Sequence, residues 1–92
     1  MRLLTDDEIT VRLSRVPGWE RDGNAITRTV RLADFKSAML YVGAVAHLAE
    51  AASHHPDIAI SWNTVTLTLA THSAGGLTER DFALAEQLSA LP

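Results

Sequence analysis

The chain has 92 residues, 11 acidic and 8 basic side chains, and a formal charge of −3 at pH 7. Its length is that of one domain, and 47% hydrophobic with 21% charged residues is an ordinary globular composition. The acidic balance argues against a protein held to nucleic acid by many phosphate contacts, and the absence of cysteine excludes disulfides, iron–sulfur clusters, thiolate zinc sites and a cysteine nucleophile. A domain this small buries only about two-thirds of its unfolded surface, so self-association is expected. Met1-Arg2-Leu3-Leu4 runs straight into Thr5-Asp6-Asp7-Glu8, which is no signal peptide. The longest apolar run, Ala38 to Ala46, falls well short of the ~20 residues of a membrane span. The expectation is a cytoplasmic chain without membrane contact.

Thr5-Asp6-Asp7-Glu8 is a capping box, and Ile9, Leu13 and Val16 fall on one face of the helix it opens, which Pro17-Gly18 stops. A short strand around Trp19 leads to a hairpin signal at Asp22-Gly23. Beyond it Ile26, Val30 and Leu32 share one face and Thr27, Thr29 and Arg31 the other, with Arg28 breaking the apolar row as if near an edge. Asp34 caps the longest predicted helix, about Phe35 to Ser53, with Phe35, Met39, Val42, Ala46 and Ala49 as its buried stripe. Pro56 closes that helix. Two alternating runs follow, Ile58, Ile60 and Trp62, then Val65, Leu67 and Leu69, with Asn63 suited to the tight turn between them. After the loop Ser73-Ala74-Gly75-Gly76, Thr78 caps a last helix with Phe82, Ala85, Leu88 and Leu91 inward. The order helix, two strands, helix, two strands, helix predicts an α+β fold: a four-stranded antiparallel sheet with helices on one face.

Three of the four histidines, His54, His55 and His72, stand where secondary structure ends, and only histidine titrates near neutrality without perturbation. Glu50, four residues before His54, would share its helical face and orient the imidazole. His47, three before Glu50, reads as a solvated helix residue. A metal site is disfavoured, because adjacent histidines in extended chain point to opposite sides and Glu50/His54 lacks the second histidine of a zincin motif. Ser53 beside His54 lacks the strained, glycine-flanked turn of a nucleophile elbow, and no Gly-Lys-Ser/Thr follows Gly75-Gly76. General acid–base chemistry by paired histidines remains. Asp81, three after Thr78, has capping-box spacing. A strand continued regularly from Val65 would put His72 on the threonine side, so either the strand ends by Ala70 or the site lies on the open face or rim of the sheet.

Glu50-Ala51-Ala52-Ser53-His54-His55-Pro56, Trp62, His72 and Asp81 together resemble the signature of the pterin-4a-carbinolamine dehydratases. The run from Thr71-His72 through Gly76-Leu77-Thr78 to Asp81 is similar to a second segment of that family, and Trp19 and Asp34-Phe35 extend the likeness over nearly the whole chain. The resemblance implies the same α+β fold, assembled as homodimers or homotetramers. It also implies dehydration of a 4a-hydroxytetrahydropterin to quinonoid dihydropterin, in recycling of the tetrahydrobiopterin cofactor, with neither metal nor cofactor of the protein's own. It assigns His54, His55 and His72 to the pterin pocket as catalytic residues and Glu50, Pro56, Trp62 and Asp81 to substrate binding. His54 and His72 are expected as the acid–base pair, with His55 positioning the ring and Glu50 orienting His54. Trp62 reads equally as a pterin wall or as a core or subunit anchor. The alternative function carried by the same family is a non-catalytic interaction module, a dimerisation cofactor or assembly chaperone, with an unidentified protein partner.

Overall fold

Thr5 opens the first helix as its spacing to Glu8 predicts. Its hydroxyl accepts from the Glu8 N–H at 3.2 Å and the Glu8 carboxylate accepts from the Thr5 N–H at 2.9 Å. The bonds from Arg2 and Thr5 hold the Glu8 carboxyl down to about 2, so this cap stays charged into strong acid. In the computed structural model, which describes residues 1–92, the chain runs α1 (Asp6–Leu13), β1 (Glu20–Asp22), β2 (Ala25–Arg31), α2 (Phe35–Ala52), β3 (Asp57–Ser61), β4 (Thr64–Leu69), a 3-10 turn (His72–Ala74) and α3 (Glu79–Ser89). The predicted order of elements is the observed one, and the four strands form one antiparallel sheet in the order β1-β2-β4-β3. Asp22 pairs with Ala25, so the first hairpin turns on Gly23-Asn24, one residue later than the Asp22-Gly23 signal, with Gly23 at φ 60°.

Pairing of Ile26 with Leu69, Arg28 with Leu67 and Val30 with Val65 sets these side chains on the face covered by the helices. Thr27 and Thr29 meet Thr68 and Thr66 on the other face. Arg28 is therefore not at an edge. It sits on an interior strand, where its Nη1 and the hydroxyl of Tyr41 are both buried without a hydrogen-bond partner. Burial pushes the Tyr41 phenol up, and the Arg28 charge offsets part of that shift.

Ile9 and Val16 from the first predicted face, and Phe82, Ala85 and Leu88 from the last, join the core with Val65, Leu67 and Leu69. Trp19 is buried there too, its indole N–H donating to Ser89 Oγ at 3.0 Å. The facing of α2 differs from expectation. Ala38, Tyr41, Val45 and Ala49 are buried, whereas Phe35, Met39 and Ala46 of the predicted stripe are exposed. Apolar residues occupy both sides of this helix, and the alanines at 38 and 49 let their side approach the sheet more closely than the bulkier Phe35 and Met39 would. The edge strand β3 likewise leaves Ile58 and Ile60 partly exposed.

Candidate active site

The β3–β4 hairpin decides where the histidines meet. Its register runs from Asp57 opposite Thr68 to Ser61 opposite Thr64, with Trp62-Asn63 as a two-residue turn. Continuing the same count past Asp57 sets His55 across from Ala70 and His54 across from Thr71, at the open end of the hairpin. Trp62 is at the closed end. It does not extend the strand face as expected but stands in the left-handed region at φ 52°, exposed to solvent. Asn63 pins the turn: its side chain donates to the Leu32 carbonyl at 3.0 Å, and its own carbonyl accepts from the Leu32 N–H at 2.8 Å.

At the open end, α2 stops at Ala52 because Ser53 adopts the left-handed conformation (φ 50°), the usual geometry for ending a helix. That turn sends the two following side chains apart. His54 goes inward and is buried, with Nε2 at 2.6 Å from Asp81 Oδ1. His55 goes outward, with Nε2 at 2.9 Å from Glu50 Oε2. Glu50 thus orients His55 and not His54, because the helical i, i+4 relation ends with the helix at Ala52, two residues before His54.

Asp81 is fully buried and serves two structures at once. Its Oδ2 accepts from the Thr78 N–H at 2.9 Å, completing the predicted cap of α3, and from Thr71 Oγ1 at 2.8 Å. An ionised carboxylate only accepts hydrogen bonds, so with Asp81 ionised its Oδ1 accepts from the Nε2–H of His54. A neutral His54 then keeps its lone pair on Nδ1. Strand β4 ends at Leu69, which settles the parity question for His72. Thr71 makes an isolated bridge to Gly76, and the 3-10 turn between them carries an exposed His72.

His54, His55 and His72 line one open cavity of about 250 Å³, together with Thr71 and Arg80. Ala70 is its single hydrophobic wall residue. Arg80 also donates to the Ser53 carbonyl at 2.6 Å, joining the start of α3 to the end of α2. A larger hollow of about 320 Å³ lies elsewhere, among Leu32, Leu40, Tyr41 and Leu91, and holds no histidine or carboxylate side chain.

The family described as Pterin 4 alpha carbinolamine dehydratase matches residues 2–91 of this sequence. The chain belongs to the pterin-4-alpha-carbinolamine dehydratase family. Relatives named as pterin-4-alpha-carbinolamine dehydratases include one from Roseiflexus castenholzii, 57% identical over 86 residues that cover 94% of this chain and 92% of the relative. Another, from Thermomicrobium roseum, is 53% identical over 91 residues, covering 99% and 98%. Among solved structures, a transcriptional coactivator/pterin dehydratase from Brucella melitensis superposes with a TM-score of 0.92 at 36% identity over 97% of both chains. A pterin dehydratase-like protein identified as a RuBisCO assembly factor in the alpha-carboxysome has a TM-score of 0.63 at 20% identity, over 78% of this chain and 83% of its own, and shares the fold.

Set against this family's signature, the histidines gather in one cavity and the four other expected residues do not line it. Asp81 stands behind His54 and Glu50 beside His55. Pro56 is half-buried just after the histidine pair, and Trp62 lies at the far end of the hairpin. His47 is exposed on α2, away from the cavity. Thr71, part of the second family-like segment but given no role there, and Arg80, named for no role, also reach the cavity. The signal for Arg80 is its place beside Asp81.

Proposed function

We propose that this protein dehydrates a 4a-hydroxytetrahydropterin to the quinonoid dihydropterin, in recycling of a tetrahydropterin cofactor. The observation that carries the reading is the convergence of three imidazoles on one cavity, one of them held by a buried carboxylate. The reaction breaks the bond from C4a to its hydroxyl, which leaves as water. It makes a carbon–nitrogen double bond as a ring nitrogen loses its proton. One group must deliver a proton to the departing hydroxyl and another must accept one from the ring.

His54 suits the base, because Asp81 fixes its proton on Nε2 and leaves Nδ1 to accept. His72, exposed on its turn with neither ring nitrogen engaged, suits the acid. His55, braced by Glu50, positions the ring. Each turnover moves one proton onto His54 and one off His72, and exchange with water resets the pair. The test is to add the folded protein to freshly formed carbinolamine. The expected result is loss of carbinolamine faster than its spontaneous decay, and an unchanged rate overturns the reading.

We also infer that the working form is a homodimer or homotetramer. Phe35, Met39 and Leu40 on α2, and Ile58 and Ile60 on the edge strand β3, are exposed apolar groups that a second copy would cover. Sedimentation velocity at micromolar concentration is expected to give the mass of two or four chains, and a monomer under those conditions overturns this inference.

A further inference from the structure

The directions of the bonds around Asp81 follow from counting protons. Its Oδ2 lies 2.8 Å from the Thr71 hydroxyl and 2.9 Å from the Thr78 N–H, and an ionised carboxylate oxygen only accepts, so both donate to it. Thr71 has a single hydroxyl proton, and Asp81 takes it. The 2.8 Å contact between the Thr71 and Thr78 hydroxyls therefore runs one way, with Thr78 donating. Thr78 Oγ1 in turn accepts from the Arg80 N–H at 3.3 Å. A chain of donors thus leads from the first turn of α3 through Thr78 and Thr71 onto Oδ2, while Oδ1 faces His54 at 2.6 Å. Thr71, Thr78 and Asp81 are all buried, so bulk water does not compete for these bonds. Each hydroxyl that accepts one bond makes a stronger donor of the next.

The Thr71 hydroxyl is not what shapes its own turn. The backbone does that: the Thr71 N–H donates to the Gly76 carbonyl at 2.9 Å, and the Thr71 carbonyl accepts from the Ala74 and Gly75 N–H groups, each at 3.0 Å. Nor does the hydroxyl cap α3, whose capping box is closed by Thr78 and Asp81 alone. Its partners are Asp81 and Thr78. We infer that Thr71 is a positioning residue that acts through Asp81 on His54. Its hydroxyl and the Thr78 N–H hold Oδ2 from two sides, which turns Oδ1 to His54, keeps the imidazole proton on Nε2 and leaves Nδ1 to accept. Because His72 is the next residue, the same side chain ties the turn that carries one imidazole to the carboxylate that orients another. The inference rests on the dehydratase reading, in which His54 is the base.

The test compares Thr71→Val, which keeps the branched shape and loses the donor, with Thr71→Ser, which keeps the donor. Nitrogen NMR of the unaltered chain is expected to find the His54 proton on Nε2. Thr71→Val brings in the Nδ1–H form and lowers kcat for carbinolamine about tenfold, the worth of one hydrogen bond to a charged group, while KM stays within about twofold. Thr71→Ser restores both the Nε2–H signal and kcat. Thr71→Ala is expected to behave as Thr71→Val does, and it stands in for that variant should valine prevent folding. Full kcat without the hydroxyl, or a reduced kcat with the His54 tautomer unchanged, overturns the role of Thr71 and leaves the dehydratase reading standing. If the unaltered protein does not accelerate carbinolamine loss, the dehydratase reading falls, and the NMR comparison alone still decides whether Thr71 sets the His54 tautomer.

Discussion

His72→Ala slows carbinolamine dehydration by about 10²–10⁴-fold while leaving stability almost untouched. The rate loss is the typical worth of one positioned proton-transfer group. The stability expectation follows from exposure: the ring lies on the surface of its turn and engages no other side chain, so its removal should stay within about 0.5 kcal/mol. His54→Ala is expected to lose activity in the same range and also to destabilise the fold. The buried Oδ1 of Asp81 would be left without its donor, at a cost of about 1–3 kcal/mol. Stopped-flow decay of carbinolamine, read beside urea unfolding of both variants, separates the two histidines. A His72→Ala protein that keeps the full rate removes His72 from the chemistry.

Asp81 yields the larger stability effect. Asp81→Ala deprives the Thr78 N–H, the Thr71 hydroxyl and His54 Nε2 of their acceptor in a fully buried position. Removing one partner from such a buried charged network costs about 3–5 kcal/mol, a large part of the ~5–15 kcal/mol that holds a domain folded. Asp81→Asn tests the chemistry more cleanly. With its oxygen kept on Thr71 and Thr78, the new amide turns N–H groups toward His54, which must then accept at Nε2 and carry its proton on Nδ1. The lone pair meant for the substrate is lost, and dehydration falls by about 10²-fold or more with less loss of stability than in the alanine variant. Nitrogen NMR of the imidazole should report the exchanged tautomer. An Asp81→Asn protein with unaltered activity would remove His54 as the base.

Much of this molecule is legible in its sequence because local signals and the fold agree. The Thr5–Glu8 and Thr78–Asp81 caps, the alternation through Val65, Leu67 and Leu69, and the glycine at the first hairpin each name their own element. The facing of α2 was less legible. A helix with apolar residues on both sides offers two stripes, and periodicity does not say which one meets the sheet. Arg28 was misplaced for a related reason: a lone charge in an apolar row reads as an edge signal, yet here it lies inside the sheet with Nη1 unpartnered.

At the site, proximity along the chain suggested the wrong carboxylate for His54. Glu50 is four residues away, whereas Asp81 is 27 away and reaches it only because α3 packs beside the end of α2. The left-handed residue at Ser53 is what converts an i, i+4 expectation into an i, i+5 contact with His55. Spacing rules hold only within an element, and this pair lies across its boundary.

The symmetry of the second hairpin about Trp62-Asn63 has a consequence for how the protein can vary. Whatever is added equally to both arms only pushes the tip outward, and the imidazoles at the base remain neighbours. A single residue added to one arm alone slides the ladder and turns every side chain of that arm beyond the insertion to the opposite surface. Length at the tip thus changes only at the expense of the two bonds between Asn63 and Leu32, while parity between the arms sets which face every side chain takes.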